Sequence, residues 1–309
     1  MDKQIDDYLV NQLAVAVGGR NTTAFYWLHK YWDEPSDSRT RDYFLVHPSL
    51  ISMSLLMIVY MLMVTVLIPA YMRNRKPYGL KAAVVGYDIL MVAINGYFFV
   101  RTLQISRFGL EMWNFRNTRS DVTPKAMEFI DTAYLYYLSK LVDMVDTFFM
   151  AFKKKNSHIS FLHVWHHISL PFAGWLFMKY NPYMPTISII PIINTFIHVI
   201  MYSYYAMAAM GPQYQRYLWW KRYITQIQLI QFVCVMLWFV VVYQKQTDLP
   251  LGYMACNFGN AVFLYVLFAG FYRNAYKSAA AAAAAAKTTT AIGTKQQVVT
   301  DYTDKLKTQ

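Results

Sequence analysis

The residues best suited to chemistry in this chain are polar side chains embedded in apolar sequence. Three histidines, His163, His166 and His167, lie within the run HVWHH, and a fourth, His198, opens the run HVIMYSYY. Lys140, Asp143, Asp146 and Thr147 precede them. Asn194, Tyr202, Tyr205, Thr225, Gln228 and Gln231 follow. On helices, Lys140, Asp143 and Thr147 fall within a ~60° arc, so the lysine and aspartate can pair at i,i+3. The three histidines fall within a ~100° arc. Asn194, His198, Tyr202 and Tyr205 form one stripe, and Thr225, Gln228 and Gln231 another. Two chemistries suit such a set. Histidines at i and i+3 or i+4 can share a metal ion. Alternatively, a histidine kept neutral by burial can act as nucleophile or base. A second then relays the proton, while amide and hydroxyl donors stabilise an oxyanion.

The elements that must position these residues are apolar and long. Of 309 residues, 56% are hydrophobic, 17% aromatic and 15% charged, and the net charge is +12. This excludes a disordered chain and an ordinary soluble domain. The apolar residues come in continuous runs, which excludes a nucleic-acid binder despite the positive charge. The first run, 49–71, has no charge and is long enough to cross a ~30 Å hydrocarbon core. Six more follow near 80–100, 131–152, 158–178, 183–205, 221–243 and 252–276. The expected fold is therefore an all-α integral membrane protein with seven transmembrane helices. No signal-peptide pattern is expected before the first run. The two cysteines, Cys234 and Cys256, lie in apolar stretches and offer neither a disulfide framework nor a CxxC site.

The short loops after spans one, three and five carry more bases than those after spans two, four and six, which places the first set in the cytosol. The N-terminus is then lumenal, with the sequon Asn21-Thr22-Thr23, and the C-terminus cytosolic. On this assignment the positive excess lies wholly on the cytosolic face, a surface suited to anionic ligands. Counted from that face, all four polar stripes sit ~8–18 Å deep. Four stripes at one depth imply a shared interior cavity, because each ionisable group inside a membrane costs ~2.5–3.5 kcal/mol on insertion scales. The chain divides into a lumenal segment 1–48, a membrane domain 49–276 and a low-complexity tail 277–309. Lys305 and Lys307 in that tail are similar to the KxKxx retrieval signal of endoplasmic-reticulum membrane proteins.

Taken together, these motifs resemble the very-long-chain fatty acid elongases, the ELO family. The histidine box is His163-Val164-Trp165-His166-His167, preceded by the basic stretch Lys153-Lys154-Lys155-Asn156. The family's KxxExxDT motif appears as Lys140 to Thr147, with Asp143 in place of the usual glutamate. HVxMYxYY is complete from His198 to Tyr205, and TxxQxxQ is complete as Thr225, Gln228 and Gln231. A literal KxxExxDT from Lys125 to Thr132 lies at the lumenal mouth, away from the box, and is taken as a decoy.

The resemblance implies an acyl tunnel enclosed by the seven helices and a 3-oxoacyl-CoA synthase activity. Acyl-CoA and malonyl-CoA would give 3-oxoacyl-CoA, CoA and carbon dioxide through an acyl-histidine intermediate, with no cofactor and no metal. His166 or His167 would be acylated, with His163 and His198 in support. Lys140, Asp143, Asp146, Asn194, Tyr202, Tyr205, Gln228 and Gln231 would line and orient the site. Lys153, Lys154, Lys155, Lys221, Arg222 and Arg273 are the candidates to meet CoA phosphates. Expected partners are the two CoA esters, the bilayer, other elongation-cycle enzymes and further subunits. Two other classes compete. A membrane di-iron desaturase or hydroxylase needs more histidines than remain after His29 and His47 are placed before the first span, and no second HxxHH occurs. A transporter would show related halves, and none are found.

Overall fold

Three helices of the membrane domain begin where the sequence supplies a capping side chain. In the computed structural model, which describes residues 3–33, 36–116, 118–245 and 251–277, the regular elements are all helical and no strand occurs among the described residues. The first helix, α1, is Lys3–Ala16. Ser49 accepts from the Ser52 N–H and opens a helix, α2, that runs over Leu50–Met72. It widens into a π turn at Met63–Leu67, just ahead of Pro69. A proline there has no N–H and would crowd the carbonyl one turn back. Then come α3 (Lys81–Ile105), α4 (Pro124–Asp143), α5 (Val145–Phe152) and α6 (Phe161–Tyr180). The last three are α7 (Ile189–Met210), α8 (Lys221–Lys245) and α9 (Leu251–Tyr272). Thr123, with Pro124 behind it at the first helical position, caps α4, and Ser160 caps α6.

Six of these helices close a ring. The successive neighbours are α3, α7, α8, α9, α6 and α4, and α4 returns to α3. The first helix of the membrane domain, α2, stands outside the ring against α6. Among the described residues, five segments are long and apolar enough to cross a membrane: Leu50–Met72, Lys81–Ile105, Pro185–Met210, Lys221–Lys245 and Met254–Tyr276. The chain is thus an all-α membrane protein. The other two expected spans, near 131–152 and 158–178, are helical but fall outside this set. One is split between α4 and α5, and the other, α6, carries the histidine box and Lys179. The site residues themselves lower the apolar signal of the helices that hold them.

The end of the ring opposite the loop 153–160 is closed by the N-terminal segment. Thr40 donates to the Met178 carbonyl, Tyr137 to the Leu45 carbonyl and Trp175 to the Val46 carbonyl. Leu45 adopts φ 59°, a left-handed turn that brings its carbonyl to Tyr137. Val46 and Trp175 are almost wholly buried in the main core beside Met53, Ile130 and Met178. Residues 40–46 therefore pack as part of the helical body. Of the tail 277–309, everything beyond Lys277, including Lys305 and Lys307, lies outside the described residues.

Candidate functional site

The site is built where α4 ends. Met144 donates its N–H to the Leu141 carbonyl, a tight three-residue closure, and breaks the segment between Asp143 and Val145. Asp143 and Asp146 consequently serve different partners. Asp143 pairs with Lys140, Nζ to Oδ2 2.8 Å, and both side chains are buried. Tyr202 donates to the other Asp143 oxygen at 3.3 Å, and Tyr87 donates to the Val142 and Asp143 carbonyls. Asp146 turns to the histidine box: its Oδ1 is 3.5 Å from Nε2 of both His163 and His167. Thr147 joins this group, 2.9 Å from His163 Nε2 and 3.0 Å from Asp146 Oδ1, and receives a 2.8 Å bond from Tyr60 on α2.

The box histidines do not share one environment. His163 and His167 lie against each other, with ring centroids 4.3 Å apart and planes tilted by 53°, beside Asp146. His166 instead lines the main cavity, its ring 6.5 Å from that of His198 and inclined to it by 29°. Pro171, inside α6, removes the N–H that would reach back to the His167 carbonyl, so the turn after the box is loosened.

All six ring helices line a cavity of about 190 Å³. At one end stand His166, Lys140, Asn194 and Gln231. Down α6 the wall continues through Leu170, Gly174 and Phe177, and the lining elsewhere is mostly apolar. Tyr136 also lines it, and donates to Asn194 Oδ1 at 2.9 Å. Asn194 in turn lies 3.3 Å from His198 Nε2.

The remaining expected residues scatter. Gln228 donates weakly to the Met201 sulfur. Tyr205 is 39% exposed and meets Tyr202 and Tyr204 edge-on, which places it at the rim instead of among the histidines. Lys154 bonds the Arg73 and Arg75 carbonyls and so ties together two loops at the same end of the bundle. Arg222 lies over the Tyr223 ring. Lys153, Lys155, Lys221 and Arg273 all flank helix ends on the side of the histidine box. Burial lowers the Lys153 ammonium below its usual range, and Lys155 beside it adds to the shift. The literal motif at Lys125 lies at the other end, where Lys125 bonds Glu111 at 2.6 Å.

Asp146, His163 and His167 bring one ligand atom each within 4.8 Å of one another, a geometry that can hold a metal ion. Tyr60 and Tyr136 were missed in the sequence because a tyrosine inside an apolar run reads as core; their position four residues before Lys140 (Tyr136) or on another span (Tyr60) gave no separate signal.

Residues 45–284 match the family described as ELO: GNS1/SUR4. A very long chain fatty acid elongase of Aedes aegypti is 34% identical over 81% of this chain and 70% of its own length. Very long chain fatty acid elongase 7 of Drosophila melanogaster is 36% identical, over 79% of this chain and 74% of that protein. The Rattus norvegicus elongase 7 is 35% identical, over 76% and 80%.

Proposed function

Because the chain belongs to the ELO family of fatty acid elongases, we propose that it is a 3-oxoacyl-CoA synthase, the condensing enzyme of elongation. The observation that carries this reading is the apolar cavity leading away from a single histidine, His166. From His166 to Phe177 is ~16 Å along α6. An extended acyl chain advances ~1.25 Å per carbon, so roughly 13 methylenes fit that length.

In the reading we favour, a ring nitrogen of His166 attacks the acyl-CoA thioester carbonyl. The C–S bond breaks, and CoA leaves as the thiol once it takes a proton. Malonyl-CoA then loses carbon dioxide, and its α-carbon attacks the acyl-imidazole. The C–N bond breaks, the imidazole is restored, and 3-oxoacyl-CoA two carbons longer departs. His198 carries protons beside His166. His163 and His167, held by Asp146, fix the pitch of the box, so His166 and not His167 is the acylated residue. Gln231 and Asn194 supply donors to the developing oxyanion. Lys153, Lys155, Lys221, Arg222 and Arg273 would receive CoA phosphates at the mouth. The reaction needs no cofactor. We place the protein in the endoplasmic-reticulum membrane, with seven spans, a lumenal N-terminus and a cytosolic C-terminus, working beside the other enzymes of the elongation cycle.

Purified protein supplied with a long-chain acyl-CoA and labelled malonyl-CoA should form labelled 3-oxoacyl-CoA and one equivalent of carbon dioxide. A second reading, metal-dependent oxidation of an acyl chain, rests on the Asp146, His163 and His167 group. Bound iron with oxygen consumption, and no condensation, would establish that reading in place of ours.

A further inference from the structure

The Asn194 amide stands between groups of opposite demand. Its Oδ1 lies 2.9 Å from the Tyr136 hydroxyl and 3.5 Å from Lys140 Nζ, while its Nδ2 lies 3.3 Å from His198 Nε2. An ammonium has donors and no acceptor, so the amide atom facing Lys140 must be the oxygen. The reversed amide would set NH2 against NH3+ and leave the oxygen against the imidazole. With the oxygen fixed, the atom facing His198 is an amide nitrogen, which only donates. His198 Nε2 must then accept, and the neutral ring carries its proton on Nδ1. The other side of the ring agrees. His198 Nδ1 is buried without a hydrogen-bond partner among the described residues, and the nearest acceptor charge is Asp143 Oδ2 at 3.8 Å. Lys140 thus acts on both edges of His198, through Asn194 on one and through its ion pair with Asp143 on the other.

We propose that Tyr136 and Lys140 are positioning residues that lock the Asn194 amide and thereby hold His198 as its Nδ1–H tautomer, with Nε2 as the acceptor. The catalytic consequence rests on the condensing reaction proposed above. His198 enters the cycle as a base at Nε2, and Asn194, which lines the cavity, presents an N–H edge to the acyl carbonyl beside His166. Tyr136 touches no reacting atom; it acts through Asn194. The amide oxygen and the amide nitrogen are nearly the same size, so shape alone does not choose between the two orientations. The donor-only lysine chooses.

The test is spectroscopic and needs no turnover. Full-length protein labelled with 15N-histidine in lipid nanodiscs is compared with Asn194→Asp and Tyr136→Phe, and the His198 signal is assigned by its loss in His198→Gln. The expected wild-type spectrum has a protonated Nδ1 and an unprotonated Nε2. Asn194→Asp, nearly isosteric, puts an oxygen against Nε2 and should move the proton there. Tyr136→Phe should give a mixture of tautomers, with kcat down about five-fold and the acyl-CoA KM within about two-fold of wild type. A wild-type His198 protonated at Nε2 would overturn the proposal, as would a Tyr136→Phe enzyme with an unchanged spectrum and unchanged kcat. If Tyr136→Phe does not fold, the wild-type and Asn194→Asp spectra still decide. A protein with the expected tautomer but no condensing activity would count against the elongase reading and leave the proton assignment standing.

Discussion

Replacing Lys140 by methionine separates architecture from chemistry at this site. Lys140 and Asp143 side chains are 6% and 5% exposed and 2.8 Å apart, and Lys140 also lies 5.0 Å from the centre of the Tyr136 ring. Methionine keeps most of the volume but leaves the Asp143 carboxylate buried with only neutral neighbours, the Tyr202 hydroxyl at 3.3 Å and His198 Nδ1 at 3.8 Å. Removing one partner of a buried pair costs about 3–5 kcal/mol, because the remaining charge is uncompensated. The loss of the ammonium over the Tyr136 ring is included in that figure and is worth about 0.5–2 kcal/mol. Removing both charges, in Lys140→Met with Asp143→Leu, should recover much of the loss, giving a coupling of about 2–3 kcal/mol between the sites. The assay is unfolding of detergent-solubilised protein for the four members of the cycle, with condensing activity measured in parallel. Stability should return in the double variant while activity does not, since the Asn194 orientation still lacks its lysine. A single variant as stable as wild type, or a double variant no more stable than the single, would refute the reasoning.

Further outcomes follow from the same structure. Tyr60→Phe removes the 2.8 Å bond to Thr147 and should cost about 0.5–1.5 kcal/mol in unfolding experiments, with a lower kcat because the His163 and Asp146 contacts loosen. Gly174→Leu should abolish activity on the longest acyl-CoAs before the shorter ones. A Cβ at that position meets Tyr137 Cδ2 at 3.0 Å, and Tyr137 is anchored to the Leu45 carbonyl; an unchanged product ladder would contradict this. At the opposite end of the bundle, the hydrogen bond from Lys125 holds the Glu111 carboxyl below its usual value of 4.5. A depressed folded-state value gives stability that is present above about pH 4.5 and is lost as the pH falls through the folded value. Thermal unfolding of wild type should therefore fall more steeply than that of Glu111→Gln below that pH, and parallel curves would remove the pair from the account.

Much of this was legible in the sequence because apolar runs and helical spacing are local signals. Ser49 opens the first apolar run, and the structure starts α2 at the next residue. The Asn194, His198 and Tyr202 stripe stays on one face of α7, since i,i+4 spacing survives any packing. The Lys140 and Asp143 pair likewise needs only one helical turn. What the sequence did not reveal depends on long-range contacts or on a local break. The closure at Met144 turns Asp146 away from Asp143, and no proline or glycine marks it. Tyr136 lies inside an apolar run, and its role depends on Asn194, 58 residues later. The difference between His166, on the cavity, and His167, against Asp146, follows from how α6 is rotated within the ring, which the box spacing alone leaves open. Tyr205 completes the motif in sequence yet sits at the rim, because its position on α7 falls past the turn that faces the histidines.

The most direct test of the central claim is to trap the acyl-enzyme. Full-length protein incubated with a long-chain acyl-CoA, without malonyl-CoA, should gain the mass of one acyl group. The adduct should be labile to hydroxylamine, map by peptide analysis to His166 and not to Cys234 or Cys256, and disappear both in His166→Ala and on adding malonyl-CoA. Full condensing activity with no such adduct, or a His166→Ala enzyme that still condenses, would contradict the account.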